Sequence, residues 1–272
     1  MPVNDDLGKR MKENYENRSK TSLIRRMPVA IRIDGKAFHT FTKGFQRPFD
    51  NVLIKSMQET MMALCENIQG CVFGYCQSDE ITLILIDYNT LTTDAWFDYE
   101  VQKMCSISAS MATMYFNKYF AANVQEEIFS WKTSMVPQSM DIQIAMNEYH
   151  DALRNAVKKG AMFDARCFNI PKEEVTNLIY WRQLDATRNS IQMVGQAMFS
   201  QKQLHGKSCN NIQDMLMEEY NINWNNYPTY KKRGTAYYKN TNIPGWTLDK
   251  DMPILRGNDR QYIDRFIYVG EE

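Results

Sequence analysis

Ala30-Ile-Arg-Ile-Asp34-Gly35-Lys36-Ala-Phe38-His39 and Gly74-Tyr-Cys-Gln-Ser78-Asp79-Glu80 are the stretches around which the rest of the chain is organised. In each, an apolar run meets a turn and a carboxylate stands at the junction. Mg²⁺ takes hard oxygen ligands from one or two carboxylates and completes its octahedron with waters and substrate phosphates. The pattern therefore points to a metal-dependent phosphoryl-transfer site.

Working outward, Pro28 to Ile33 reads as a buried strand ending at Asp34-Gly35. Lys36 to Asp50 is a loop that interleaves groups suited to phosphate (Lys36, His39, Lys43, Arg47) with Phe38, Phe41, Phe45 and Phe49. Asp50 is placed to cap a helix over residues 51 to 68. Cys71 to Cys76 and Ile81 to Ile86 make a hairpin with acid at its tip. A long helix follows over residues 95 to 120, with Phe97, Val101, Met104, Ser108, Met111, Tyr115 and Tyr119 on one stripe. Two weaker helical patterns flank Pro137 as a peripheral excursion, and Met162 to Phe168 is a further strand.

Strand, helix, strand, strand, helix, strand is the split βαβ order of ferredoxin-like folds. In that arrangement the third strand lies between the first and second and is antiparallel to both. Its start then sits beside the end of the first strand, so Asp34 and Asp79 converge although 45 positions separate them. Taken singly, such acids are common turn residues or caps; together on neighbouring strand ends they favour a metal. Glu80 begins the same strand on the opposite face, or shares the tip if the turn is irregular.

The expected fold class is α+β: a ferredoxin-like core over residues 1–170, with an N-terminal extension, and a mostly helical region over 171–272 packed on it. In the extension, Leu7, Met11 and Tyr15 recur at four-residue spacing as in an amphipathic helix. The C-terminal region reads as helices over 172 to 199 and 207 to 219, a short strand from Thr235 to Tyr238, and a last strand from Asp264 to Val269. Lys231-Lys232-Arg233 suits RNA phosphates and equally an ordinary basic turn.

Lys plus Arg equals Asp plus Glu at 32 each, so net charge gives no warrant for nucleic-acid binding. The six cysteines lie in or beside apolar runs without CxxC pairing or a secretory leader, which reads as reduced thiols in a cytoplasmic protein. No apolar run reaches membrane-spanning length, so no membrane partner is expected.

Arg32-Ile-Asp34-Gly35-Lys36-Ala-Phe38-His39, Arg47-Pro48-Phe49-Asp50, Tyr75-Cys-Gln77-Ser78-Asp79-Glu80, Phe163-Asp164-Ala-Arg166, Trp181-Arg182-Gln183-Leu-Asp185 and Asn221-Ile-Asn-Trp-Asn-Asn-Tyr-Pro with Lys232-Arg233-Gly234 follow one another in order. This series resembles the motifs of the histidine-tRNA guanylyltransferase family. The resemblance implies a polymerase-like palm that adds nucleotides to the 5′ end of a tRNA. It implies two Mg²⁺ ions held by Asp34, the Gly35 carbonyl and Asp79, with Glu80 in support, so that Asp34, Asp79 and Glu80 form the catalytic set. Nucleoside triphosphates, ATP and GTP among them, would be held by Gly35, Lys36, Ala37, Phe38, His39, Arg47, Asp50 and Ser78. ATP would adenylylate a 5′-monophosphate, and the 3′-hydroxyl of an incoming nucleotide would then displace AMP. The tRNA would meet Arg188, Asn189, Lys231, Lys232 and Arg233, and the assembly would be a homotetramer.

One departure separates branches of the family. Where eukaryotic members carry His-Ile-Asn-Asn-Leu-Tyr-Asn, this chain has Ala-Thr187-Arg188-Asn189-Ser190-Ile191-Gln192 after Asp185. That resembles the guanylyltransferase-like branch, which favours templated repair of 5′-truncated tRNAs. Two other readings share the core: a palm-type nucleotide cyclase or signalling nucleotidyltransferase that needs no tRNA, and an RNA-binding module on a ferredoxin-like sheet. The second lacks its expected aromatic-rich motif, and acids at the sheet end oppose phosphate unless a metal intervenes.

Overall fold

The computed structural model describes residues 6–134, 139–240 and 243–269. Asp6–Asn14 form α1, and Leu7, Met11 and Tyr15 are exposed there or just beyond it. The first strand, β1, is Val29–Gly35, followed by a single helical turn, α2, Phe38–Phe41. Asp50 caps α3, Asn51–Asn67, by accepting from the Leu53 amide. The hairpin is β2, Cys71–Gln77, and β3, Glu80–Leu85. Two helices follow, α4, Val101–Thr133, and α5, Met140–Lys159, before β4, Phe163–Asn169. Beyond them come α6, Lys172–Met198, the short α7, Gln201–Leu204, α8, Cys209–Tyr220, and α9, Thr229–Arg233. The described chain closes with β5, Thr235–Lys239, β6, Trp246–Asp249, and α10, Gln261–Ile267.

The six strands form one sheet in the order β4-β1-β3-β2-β5-β6. β3 lies between β1 and β2 and is antiparallel to both, as the ferredoxin-like order requires. One face carries Ile31, Ile33 and Leu83 against Met57, Met61 and Leu64 of α3 and Met104 and Phe116 of α4. Each such fully buried side chain is worth ~1.5–3 kcal/mol. The other face carries Ala30, Phe73, Tyr75 and Ile84 against Val175 and Ile179 of α6 and Ile263 and Phe266 of α10. A third cluster joins Ile191 and Val194 of α6 to Ile212 and Leu216 of α8 and Trp224.

Several expectations need correcting. Asp264 to Val269 is not a strand: Ile263, Phe266 and Ile267 sit at helical spacing and pack as one face of α10. The C-terminal region also gives the sheet a second strand, β6, paired with β5. The long helix starts at Val101, after a turn in which Phe97, Asp98 and Tyr99 all take left-handed backbone angles. Phe97 is therefore thrown outward, and the buried stripe runs Met104, Ser108, Ala112, Phe116, Phe120 and Val124. The stretch around Pro137 is more than an excursion. Pro137 lies outside the described residues, but Tyr149, Leu153 and Ala156 of α5 enter the main core. Among the described residues no helix is long and apolar enough to cross a membrane.

Candidate active site

The end of β1 and the hairpin tip are tied by the backbone. Asp34 pairs in register with Glu80, and one residue on the Gly35 amide donates to the Asp79 carbonyl at 3.1 Å. Ser78 takes a left-handed backbone (φ 53°), and its hydroxyl donates to the Asp79 carboxylate at 2.9 Å. The two acids, far apart in sequence, thus stand on adjacent strand ends. Burial pushes the Asp79 carboxyl above its ordinary value, the Ser78 hydroxyl pulls it back, and the charges of Asp34 and Glu80 push it up again.

A cavity of about 590 Å³, within the range of small-molecule pockets, opens at this end of the sheet; Asp79 lines it, and Asp34 lies just outside the lining. Gly35, Ala37, Phe38 and His39 line one wall, Arg47 and Asp50 another, and Ser78 and Asp79 a third. The chain bends into the cavity wall at Ala37, itself left-handed (φ 54°), which starts α2. Gly35 has no alternative: a Cβ there would meet the Phe38 ring at 2.3 Å. The Phe38 ring in turn packs against Phe41, Phe116 and Phe163, so the aromatic residues of the loop anchor the wall to α4 and β4.

The expected nucleotide set is largely brought together, with one exception. Lys36 is exposed outside the cavity lining, and its amide donates to Met162 O. Asp50 is buried, with its carboxylate accepting from the Leu53 amide at 2.8 Å and the Gln46 amide at 3.1 Å. Its contribution to the wall is to fix the loop. Met193 and Gln196 of α6 also line the cavity. They escape sequence reasoning because helical periodicity shows which face of α6 is polar but not what that face meets. Lys43, singled out only as a phosphate-friendly loop residue, lines the cavity as well.

Glu80 is engaged differently from Asp34 and Asp79. Its Oε1 accepts from Arg32 Nε (3.0 Å) and Nη2 (2.7 Å), and Arg182 Nε approaches it at 2.8 Å. Arg182, only 8% exposed, also donates to Asp185 at 2.7 Å. Asp185 further receives Arg188 and Asn189, so two of the five expected RNA contacts converge on one carboxylate. The basic cluster is split. Lys232 is buried with its ammonium donating to Asn225 O at 2.6 Å, while Lys231 and Arg233 are half-buried. The sequence signal for Lys232, a cation in a basic run, did not show that it points inward.

The donor set fits Mg²⁺. Asp34 and Asp79 stand on adjacent strand ends joined through the Gly35 amide, and one or two carboxylates together with substrate phosphate oxygens are how this ion is commonly held. Among the described residues no group of three or more His, Cys, Asp or Glu is arranged to hold a metal, so the acids alone make a partial shell.

Comparison with known proteins adds a family. The family model for tRNAHis guanylyltransferase matches residues 8–171. The chain is similar to a bacterial tRNA(His) guanylyltransferase-like protein solved in complex with ATP, at 40% identity and TM-score 0.78, covering 96% of this chain and 99% of that one. It is also similar to a bacterial protein of the same description in complex with GTP, at 36% identity and TM-score 0.73, covering 97% and 100%. A probable tRNA(His) guanylyltransferase of Dictyostelium discoideum is 24% identical over 263 residues, 92% of this chain and 89% of its own.

Proposed function

Because the chain belongs to the tRNAHis guanylyltransferase family and is on that ground a nucleotidyltransferase, we propose that it adds nucleotides in the 3′–5′ direction to the 5′ end of tRNA, copying the opposite strand. The observation that carries this reading is that Asp79 lines a nucleotide-sized cavity while Asp34, outside the lining, stands next to it on the adjacent strand end. The ATP and GTP complexes of the two bacterial relatives support a triphosphate in that cavity.

The reaction balances in two transfers. A 5′-phosphate oxygen attacks the α-phosphorus of ATP and pyrophosphate leaves; the 3′-hydroxyl of the incoming nucleotide then attacks the activated 5′-phosphorus and AMP leaves. Asp34, Asp79 and the Gly35 carbonyl would hold Mg²⁺, which when bound supplies charge neutralisation and Lewis-acid polarisation of phosphate oxygens. The residues themselves chiefly position. Arg47, His39 and Lys43 bring positive or hydrogen-bonding groups to the cavity, and the first amides of α2 lack intrahelical partners and suit phosphate oxygens. Glu80, clamped by Arg32 and Arg182, keeps the hairpin tip in place beside β1. Arg188, Asn189, Lys231 and Arg233 are proposed to meet the tRNA, with Lys232 supporting them from inside.

The test is nucleotide addition to a 5′-monophosphorylated tRNA lacking its first nucleotide, with ATP, Mg²⁺ and each labelled triphosphate in turn. Incorporation only of the base complementary to the opposite strand, abolished in Asp79→Ala, is expected. Triphosphate consumed without any RNA product would overturn the reading in favour of a cyclase.

A further inference from the structure

On the outer face of α6 a tryptophan stands half in water. Trp181 is 51% exposed, and Leu184, one turn on, is 49% exposed. At about 100° per residue, Arg188, Gln192 and Gln196 continue the same side of the helix, and Gln196 already lines the nucleotide cavity. The stripe therefore runs about 22 Å along α6, from the indole to the triphosphate wall. The packing of this helix is done by other positions, Arg182, Gln183 and Ala186 among them, all buried.

The indole is held in a defined setting. The Arg182 guanidinium carbon lies 4.4 Å from the ring centroid and that of Arg32 lies 5.2 Å away. Both guanidiniums are fixed by Glu80. Arg32 is two residues before Asp34 and so shares its sheet face, and Glu80 is the register partner of Asp34. Trp181 thus contacts the two arginines that hold Glu80, on the sheet face that Asp34 shares and opposite α3 and α4. Arg166, the register partner of Arg32, adds a guanidinium to the same face with its side chain 60% exposed.

Resting on the reading above, we propose that Trp181 is the stacking platform for the 5′-terminal base of the RNA, with Leu184 extending the apolar contact and Arg188 and Arg166 flanking the backbone. A half-exposed ring with guanidiniums packed over it offers a base the ring surface they leave open and offers the phosphates positive charge. Four guanidiniums (Arg32, Arg166, Arg182, Arg188) face three carboxylates (Glu80, Asp164, Asp185) here, leaving a positive balance once Asp34 and Asp79 are committed to a metal.

The experiment uses a 5′-monophosphorylated acceptor-stem hairpin RNA with 2-aminopurine as its first nucleotide, titrated with the full chain. Fluorescence quenching on binding is expected for the wild type. It should be retained in Trp181→Phe and lost in Trp181→Ala, whose RNA affinity should fall roughly 5- to 100-fold. The shift in melting temperature caused by Mg²⁺ and ATP should be the same in all three, which separates a stacking loss from misfolding. Wild-type quenching and affinity in Trp181→Ala would overturn the inference, as would a wild type that adds nucleotides without perturbing the 2-aminopurine. A wild type that neither binds RNA nor extends it would overturn the tRNA reading, and this inference with it.

Discussion

Asp50 shows how one side chain joins backbone structure to the site. Its two oxygens satisfy the Leu53 amide at the start of α3 and the Gln46 amide of the cavity loop. Burial pushes the carboxyl above its ordinary value, and these hydrogen bonds only partly pull it down. The sign of the pH effect follows. The folded chain keeps this proton to higher pH than the unfolded chain, so the contribution of Asp50 to stability falls as pH rises from about 4, the unfolded value, through the raised folded value. Asp50→Asn retains an acceptor for the cap and does not titrate. The melting temperature of the variant relative to wild type should therefore climb across that window and level off above it; a difference independent of pH would contradict this account. Asp50→Ala, which removes the cap itself, should cost ~0.5–2 kcal/mol, with the cost shrinking as pH rises across the same window.

At the scale of elements, Gly44 is where α5 meets the loop that walls the cavity. Its φ is +88°, and an added Cβ would stand 2.8 Å from Ala152 Cβ. Gly44→Ala should destabilise by about 1–3 kcal/mol from strain and overpacking and weaken triphosphate binding, because residues 42–50 form part of the cavity wall. Adding Ala152→Gly should recover the packing part but not the φ part, a positive coupling readable by chemical denaturation; an unchanged Gly44→Ala midpoint would show that the loop is not pressed by α5. That contact was invisible in the sequence, where residues 123 to 160 offered only weak helical pattern. The hairpin and its acids were legible because strand alternation and turn residues are local signals, and the ferredoxin-like order then placed Asp34 by Asp79 without further information. What failed was also local. Arg265-Phe-Ile-Tyr-Val reads as a β-rich run until Ile263 is counted with Phe266 and Ile267, and Trp246-Thr-Leu-Asp is too short to announce β6. Long-range partners, such as Met193 and Gln196 across the cavity from Gly35, leave no trace in any single window.

For the whole molecule, the cavity draws on β1, the loop after it, the β2–β3 hairpin and α6, which are neighbours only in the folded chain. The unfolded chain has no such site, so Mg²⁺ and ATP should stabilise the fold by mass action, by about 2.7 kcal/mol at a hundredfold excess over the dissociation constant. At roughly 2–4 °C per kcal/mol for chains near this size, the melting temperature should rise by about 5–10 °C. Chelation of the metal should return most of that rise. Removal of one acid separates the metal's share from the nucleotide's. Asp79→Ala removes a carboxylate that burial first, and the charges of Asp34 and Glu80 second, disfavour in its ionised form, so its melting temperature without ligand should not fall, yet the Mg²⁺-dependent part of the shift should vanish while a metal-free ATP shift persists. Should Asp79→Ala keep the full Mg²⁺-dependent shift, the ion binds elsewhere, and the pairing of Asp34 with Asp79 at the strand ends loses its proposed role.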